Sequence, residues 1–208
     1  VRFTLGRLSR GICFLTDYHA PPVYPAEGGT QMSQTEKTNR LAKMALMAAI
    51  AAALLFIQIP FPPAPFLKYD PADIPILISG FAFGPLAGVA ITFVVSFIQA
   101  FFMGGDGIYG FTMHMLATSS FVIVAGLIYK HNKTRKTAVI ALLVGSLLMT
   151  AVMVAANLIV TPLYMGVPRE VVMGMLLTVI IPFNLLKAVI NSVVTFLIYK
   201  PLSRFLHR

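Results

Sequence analysis

The sequence predicts an all-α integral membrane protein, a bundle of six transmembrane helices with both termini cytoplasmic, and three observations carry that prediction. Of the 208 residues, 58% are hydrophobic and 11% charged, and the mean hydropathy is +0.84. The apolar runs are too long for the core of a soluble domain this small. The charges are also segregated, because basic residues cluster in short segments beside the apolar stretches and every acidic residue after Leu41 falls between other stretches. Finally, Lys187 stands in the middle of an apolar stretch from Val171 to Tyr199, with Asn184 one helical turn before it on the same face. Lysine near the bilayer centre costs roughly 2.5 to 3.5 kcal/mol, so a residue placed there usually faces a polar cavity and marks a ligand or ion site.

Taken in order, residues 1–31 carry Arg2, Arg7 and Arg10, then a stretch rich in proline and glycine, with no apolar run long enough for a signal-peptide core. They read as a disordered segment, either an upstream start ahead of a native Met32 or a cytoplasmic tail. Residues 32–40 form a polar cytoplasmic lead. Breaking residues 41–208 at prolines, glycines and charge clusters gives helices near 41–58, 74–83, 86–103, 109–129, 138–160 and 172–199. The second is too short to cross alone at 1.5 Å per residue, and Gly84-Pro85 breaks it from the third, which is where a five-span reading enters. Charge favours six spans. Arg40 and Lys43 precede the first, Lys130, Lys133, Arg135 and Lys136 join the fourth to the fifth, and Lys200, Arg204 and Arg208 follow the last. An even number of crossings puts all three clusters on the cytoplasmic side and Asp70, Asp73, Asp106 and Glu170 on the other. No internal repeat divides residues 41–208, which read as one membrane domain.

The net charge of +9 would suggest nucleic acid in a soluble protein; here it sits beside the spans and sets orientation, so nucleic-acid binding is discounted. The single cysteine, Cys13, leaves no internal disulfide and no cysteine-based metal site or catalytic pair. The chain carries no GxxxxGK[ST], GxSxG or HExxH, so neither ATP hydrolysis nor familiar hydrolase chemistry has its parts. No enzymatic activity, metal or cofactor is expected.

Several polar residues stand out. The loop IPFPPAPFLKYDPADIP is stiffened by prolines into extended or turn conformations, and Phe66, Lys68, Tyr69, Asp70 and Asp73 make it a lid over an outward-facing cavity rather than a plain connection. Asp73 itself reads best as the N-cap of the short second helix. In PFNLLK, the Asn184 amide suits a flat heterocycle with an imide edge, and the Lys187 ammonium can donate to carbonyl oxygens or ring nitrogens. The bland reading is hydrogen bonding between helices, common for asparagine and poor for lysine. Asn157, near the outer end of the fifth helix, can reach the same cavity. His114 is a candidate for cavity lining only, as a lone buried histidine is more often packing than a ligand or relay. The turn MGGDGIYG either closes near a ligand or merely connects helices. In the first helix Ala45, Ala49 and Ala53 recur every fourth residue and let another helix approach closely, within the bundle or from a partner.

Together LKYDPADIP, FAFGPLAGV, NLIVTPLY and IIPFNLLK resemble the riboflavin-specific substrate-binding subunit (S component, RibU type) of energy-coupling-factor (ECF) vitamin transporters, over about Leu41 to Arg208. The resemblance implies a non-catalytic six-helix subunit in a prokaryotic cell membrane. It further implies that this subunit binds riboflavin from outside, with a membrane coupling protein and two ATPase subunits supplying the work. It also implies that Asn157, Asn184 and Lys187 are polar contacts to the isoalloxazine ring, that Leu67 and Asp70 lie near the ligand, and that Ala45, Ala49 and Ala53 dock on the coupling protein. The family pattern has asparagine where this chain has His114, so the resemblance gives that residue no role. The rival reading is a stand-alone proton-coupled secondary transporter of a small vitamin-like solute, with Lys187 and His114 relaying protons.

Overall fold

The computed structural model describes residues 33–206, apart from residue 105; the tail predicted for residues 1–31 lies outside the described residues. From Gln34 onward the chain packs as one unit. Its elements are α1 (Gln34–Leu54), β1 (Ile59–Phe61), β2 (Ala64–Tyr69), α2 (Asp73–Phe83), α3 (Pro85–Phe102), α4 (Gly107–His131), α5 (Arg135–Met165), α6 (Arg169–Met175) and α7 (Ile181–Leu206). A π-helical turn, Leu176–Ile180, joins α6 to α7. Counted as one interrupted helix, α6 and α7 bring the total to six helical segments among the described residues. Among the described residues, four segments are long and apolar enough to cross a membrane: α3, α4, α5, and the stretch Arg169–Leu202 that includes α6 and most of α7.

The boundaries have local causes. The polar lead at 34–40 is not a separate segment but the first two turns of α1, carrying Glu36 in its first turn, where the helix dipole favours a carboxylate. Between α2 and α3, Gly84 adopts a φ of 96°, a backbone conformation that favours glycine, and Pro85 takes the first helical position, where its missing N–H costs nothing. Thr134 caps α5 by accepting the Thr137 N–H at 3.2 Å. The π turn sits just before Pro182, which cannot donate to the helical ladder, and a displaced turn is one way a helix absorbs that loss.

The expectation of an all-α chain needs one correction. The proline-rich loop is a two-stranded antiparallel hairpin pairing Ile59 with Tyr69 and Pro60 with Lys68. Prolines are tolerated there because each edge of so small a sheet has unpaired positions. Phe61 packs its ring 5.4 Å from that of Phe183, fixing the hairpin against the start of α7.

The core lies where α1, α2, α4 and α5 meet, around Leu55, Leu77, Phe121, Val122 and Met149, all fully or almost fully buried. Helices α4 and α5 approach closely because Gly145 faces Phe121; a Cβ at that glycine would stand 2.6 Å from the ring. Large apolar side chains point outward over the rest of the bundle, with Leu86, Leu147 and Leu177 among the most exposed. In water such a surface would drive aggregation, whereas lipid tails solvate it.

Candidate functional site

A cavity opens beneath the hairpin, with about 1040 Å³ of empty space, counting the part that meets solvent. That is at the upper end of the range for small-molecule pockets. Four helices supply its walls: α3 gives Gln99 and Ala100, and the other three contribute by simple periodicity. From α5 come Met149, Met153, Asn157 and Thr161, every fourth residue; from α4, Gly110, Met113, His114 and Ala117; from α7, Phe183, Asn184 and Lys187. The hairpin contributes Phe66, Leu67 and Lys68, and Asp70 follows it. The predicted residues Leu67, Asp70, His114, Asn157, Asn184 and Lys187 therefore share one space. Tyr69 does not line it: its hydroxyl turns away to donate to Asn191 Oδ1 at 3.0 Å, and burial pushes that hydroxyl above the usual tyrosine range.

Lys187 is not an isolated charge. Its Nζ lies 3.0 Å from Asp73 Oδ2 and 3.5 Å from Asp70 Oδ2, with all three side chains more than nine-tenths buried. An ammonium has three N–H donors, so these two contacts leave one for a ligand. Asn184 Nδ2 donates to the Ile180 carbonyl at 2.8 Å, and Asn157 Nδ2 to the Met153 carbonyl at 2.7 Å. Each amide nitrogen keeps a second N–H. The Asn157 oxygen accepts from Thr161 at 2.8 Å, which fixes which way that amide points.

The expectation that Asp73 caps α2 is wrong. The backbone is already helical at Ala72, the N-cap position, and no side chain caps it. Pro71 accepts the first turn's hydrogen bond from Ile74 N–H at 3.1 Å. The Asp73 carboxylate instead points into the bundle as a hub. Its Oδ1 accepts from Thr118 at 2.7 Å and from His114 Nε2 at 3.1 Å, and its Oδ2 accepts from Asn191 at 3.0 Å as well as from Lys187. The carboxylate that serves the backbone is Asp70, which accepts the Ala72 N–H at 3.3 Å, as well as Gln99 Nε2 at 3.4 Å. With Nε2–H given to Asp73, a neutral His114 takes the Ser96 hydroxyl at Nδ1, 3.0 Å away. His114 thus lines the cavity and is tied into the packing behind it.

Other residues of the site were not singled out by sequence. Thr161 and the two methionines of α5 were findable from their four-residue spacing on the Asn157 face. Tyr164 was not, because its role depends on the turn between α3 and α4, where Asp106 accepts its hydroxyl at 2.6 Å and the Tyr109 ring meets it edge-on at 5.8 Å. Asp106, Tyr109 and Gly110 line the cavity, so this turn closes over it rather than merely connecting helices.

Outside the bundle, Ala45, Ala49 and Ala53 are exposed, while Met47, Ala51 and Leu55 on the other side of the same chain segment are buried. The small-residue stripe faces away from the protein's own core.

Comparison with known proteins places these features in a family. Residues 39–199 match the family model for the ECF transporter, substrate-specific component. The riboflavin transporter RibU of Staphylococcus aureus is 32% identical over 187 residues, covering 86% of this chain and 98% of the relative. The riboflavin transporter FmnP of Bacillus subtilis is 27% identical, covering 83% of this chain and 96% of its own. Among solved structures, the S component of a bacterial ECF transporter superposes with a TM-score of 0.72 at 34% identity, covering 83% of this chain and 99% of that one. An S component for biotin, at 19% identity and a TM-score of 0.58, shares the fold.

Proposed function

We propose, from the premise that this chain belongs to the family of ECF transporter substrate-specific components, that its ligand is riboflavin and that the cavity beneath the hairpin is where riboflavin binds. The observation that carries this reading is the convergence of Asn157, Asn184 and Lys187, from two helices, on one cavity walled by Met149, Met153 and Phe183. Methionine sulfur and an aromatic ring suit the faces of a flat heterocycle. Amide N–H groups and the third ammonium N–H suit the carbonyl oxygens and ring nitrogens along its edge. Leu67 and Asp70 sit at the hairpin side of the same space, which makes the hairpin the lid.

The finer points follow from the same reading. With the hairpin outside, the basic clusters and both termini lie in the cytoplasm of a prokaryotic cell, and the chain is a multi-pass protein of its cell membrane. The subunit is not itself a catalyst. A membrane coupling protein and two ATPase subunits supply the work, and the exposed stripe of Ala45, Ala49 and Ala53 docks on the coupling protein. The stand-alone proton-coupled transporter is not favoured, although His114 and Lys187 do meet on Asp73.

Titration of flavin fluorescence tests the site. Lys187→Ala and Asn184→Ala should each weaken riboflavin binding by more than about 1 kcal/mol, the scale for a hydrogen bond lost in a desolvated site. Variants that bind as tightly as the parent would remove these residues from it.

A further inference from the structure

At the opposite end of the bundle from the ligand cavity, a second, partly open cavity is lined by Phe81 of α2, Tyr129 near the end of α4, the turn at 133–134, the first turn of α5, and the stretch of α7 from Phe196 to Lys200. Its polar lining is basic: Lys133, Arg135 and Lys200, with no carboxylate among the lining residues. Lys133 and Arg135 are exposed and make no ion pair among the described residues. Its floor is aromatic. Phe81 lies 4.5 Å from Tyr129 and 5.4 Å from Tyr199, and the two tyrosines meet edge to face at 5.5 Å. On one side the wall is Phe196 and Leu197, both exposed on the outer surface of α7, Leu197 by 65%. Along α7, Lys200 is 13 residues beyond Lys187, or about 20 Å at the helical rise, so the two cavities are separate.

A cation cluster alone would suit any small anion. Here it sits at the end of the apolar helices, over tyrosines of the kind that mark the membrane interface, and it continues sideways into a lipid-facing apolar wall. We infer that this cavity binds the headgroup phosphate of an anionic phospholipid, with Lys133 and Arg135 on the phosphate and Phe196 and Leu197 along the acyl chain. Basic pockets between transmembrane helices are the known setting for such headgroups. Nothing in the site depends on the identity of the ligand bound at the other end.

Native mass spectrometry of the detergent-solubilised full chain, with phosphatidylglycerol or phosphatidylcholine added, reads the site directly. The parent should retain phosphatidylglycerol in preference to phosphatidylcholine. Lys133→Ala with Arg135→Ala should cut that retention by at least about tenfold, on a scale of about fivefold for each basic side chain near an anionic surface. Arg169→Ala, an exposed cation at the far end, should leave it unchanged, and the helical circular dichroism and Tm of each variant check that it is folded. Equal retention of the two lipids, or an equal loss with Arg169→Ala, would overturn the proposal. Displacement of the lipid by millimolar inorganic phosphate would reassign the cavity to free phosphate and overturn the lipid form of it.

Discussion

Asp73→Asn changes the side chain's volume little but removes a charge that four donors share. Thr118 and His114 meet one carboxylate oxygen at 2.7 and 3.1 Å, and Lys187 and Asn191 meet the other at 3.0 Å each. An amide offers one oxygen and one NH2, so the NH2 must face two former donors. It will turn toward Thr118 and His114, because a hydroxyl can accept and a neutral imidazole can change tautomer, whereas an ammonium can do neither. The oxygen then stays with Lys187 and Asn191, but as a neutral acceptor. Removing one partner of a buried ion pair costs about 3 to 5 kcal/mol. Lys187 keeps Asp70 at 3.5 Å, which sets the expectation at the lower end, about 3 kcal/mol. For a chain of this size that is a fall in Tm of about 6 to 12 °C, measurable by circular dichroism on the detergent-solubilised protein without ligand. The interpretation is sharpened by Lys187→Met in the same background. If the two side chains form a pair, the double variant should be more stable than the sum of the single losses by at least about 1 kcal/mol. A Tm within about 2 °C of the parent for Asp73→Asn, or strictly additive losses, would refute the idea that Asp73 is what makes a lysine tolerable at this depth.

Two further outcomes are expected. In a Cys13→Ser background, Lys68→Cys and Glu170→Cys should react with an impermeant thiol reagent on intact cells and Lys133→Cys only after permeabilisation; external labelling at the last position would overturn the six-span topology. Ala49→Leu should lower riboflavin uptake in membranes that hold the ATPase module while leaving riboflavin binding intact, since the added bulk lies on an exposed stripe and keeps a partner helix away; joint loss of binding would place the stripe inside the bundle.

How far the sequence could be read follows from how local each signal is. The six helical segments were legible because hydropathy, proline and glycine act within a few residues; the observed ends differ where polar residues extend a helix, as at 34–40, 130–131 and 200–206, where α1 stops at Leu54 ahead of the hairpin rather than at 58, and where α5 runs past 160 to Met165. Lys187, Asn184 and Asn157 were legible as a set because polar residues deep in apolar helices are few. The hairpin was half legible: the prolines excluded helix and required extended chain, but pairing of Ile59 with Tyr69 across ten residues has no marker in a run so poor in alternation.

Asp73 was misread for an instructive reason. An aspartate two residues after Pro71, ahead of an apolar run, carries the local pattern of a helix cap, and local pattern is all that a cap requires. Its real partners, Thr118, His114, Lys187 and Asn191, lie 41 to 118 residues away, and no spacing rule connects them. The same distance hid the other half of the argument about Lys187. The sequence shows a cation whose burial needs explaining, and a ligand is one explanation; the structure supplies two carboxylates first. The lysine's cost is therefore met before any ligand arrives, and under the proposed site what remains for riboflavin is one N–H on an ammonium already tethered to Asp70. Asp70 directly follows β2, so a ligand that draws on Lys187 pulls on the hairpin's own anchor. Under that proposal the contact that recognises the ligand and the contact that holds the lid would be two bonds of one ammonium group.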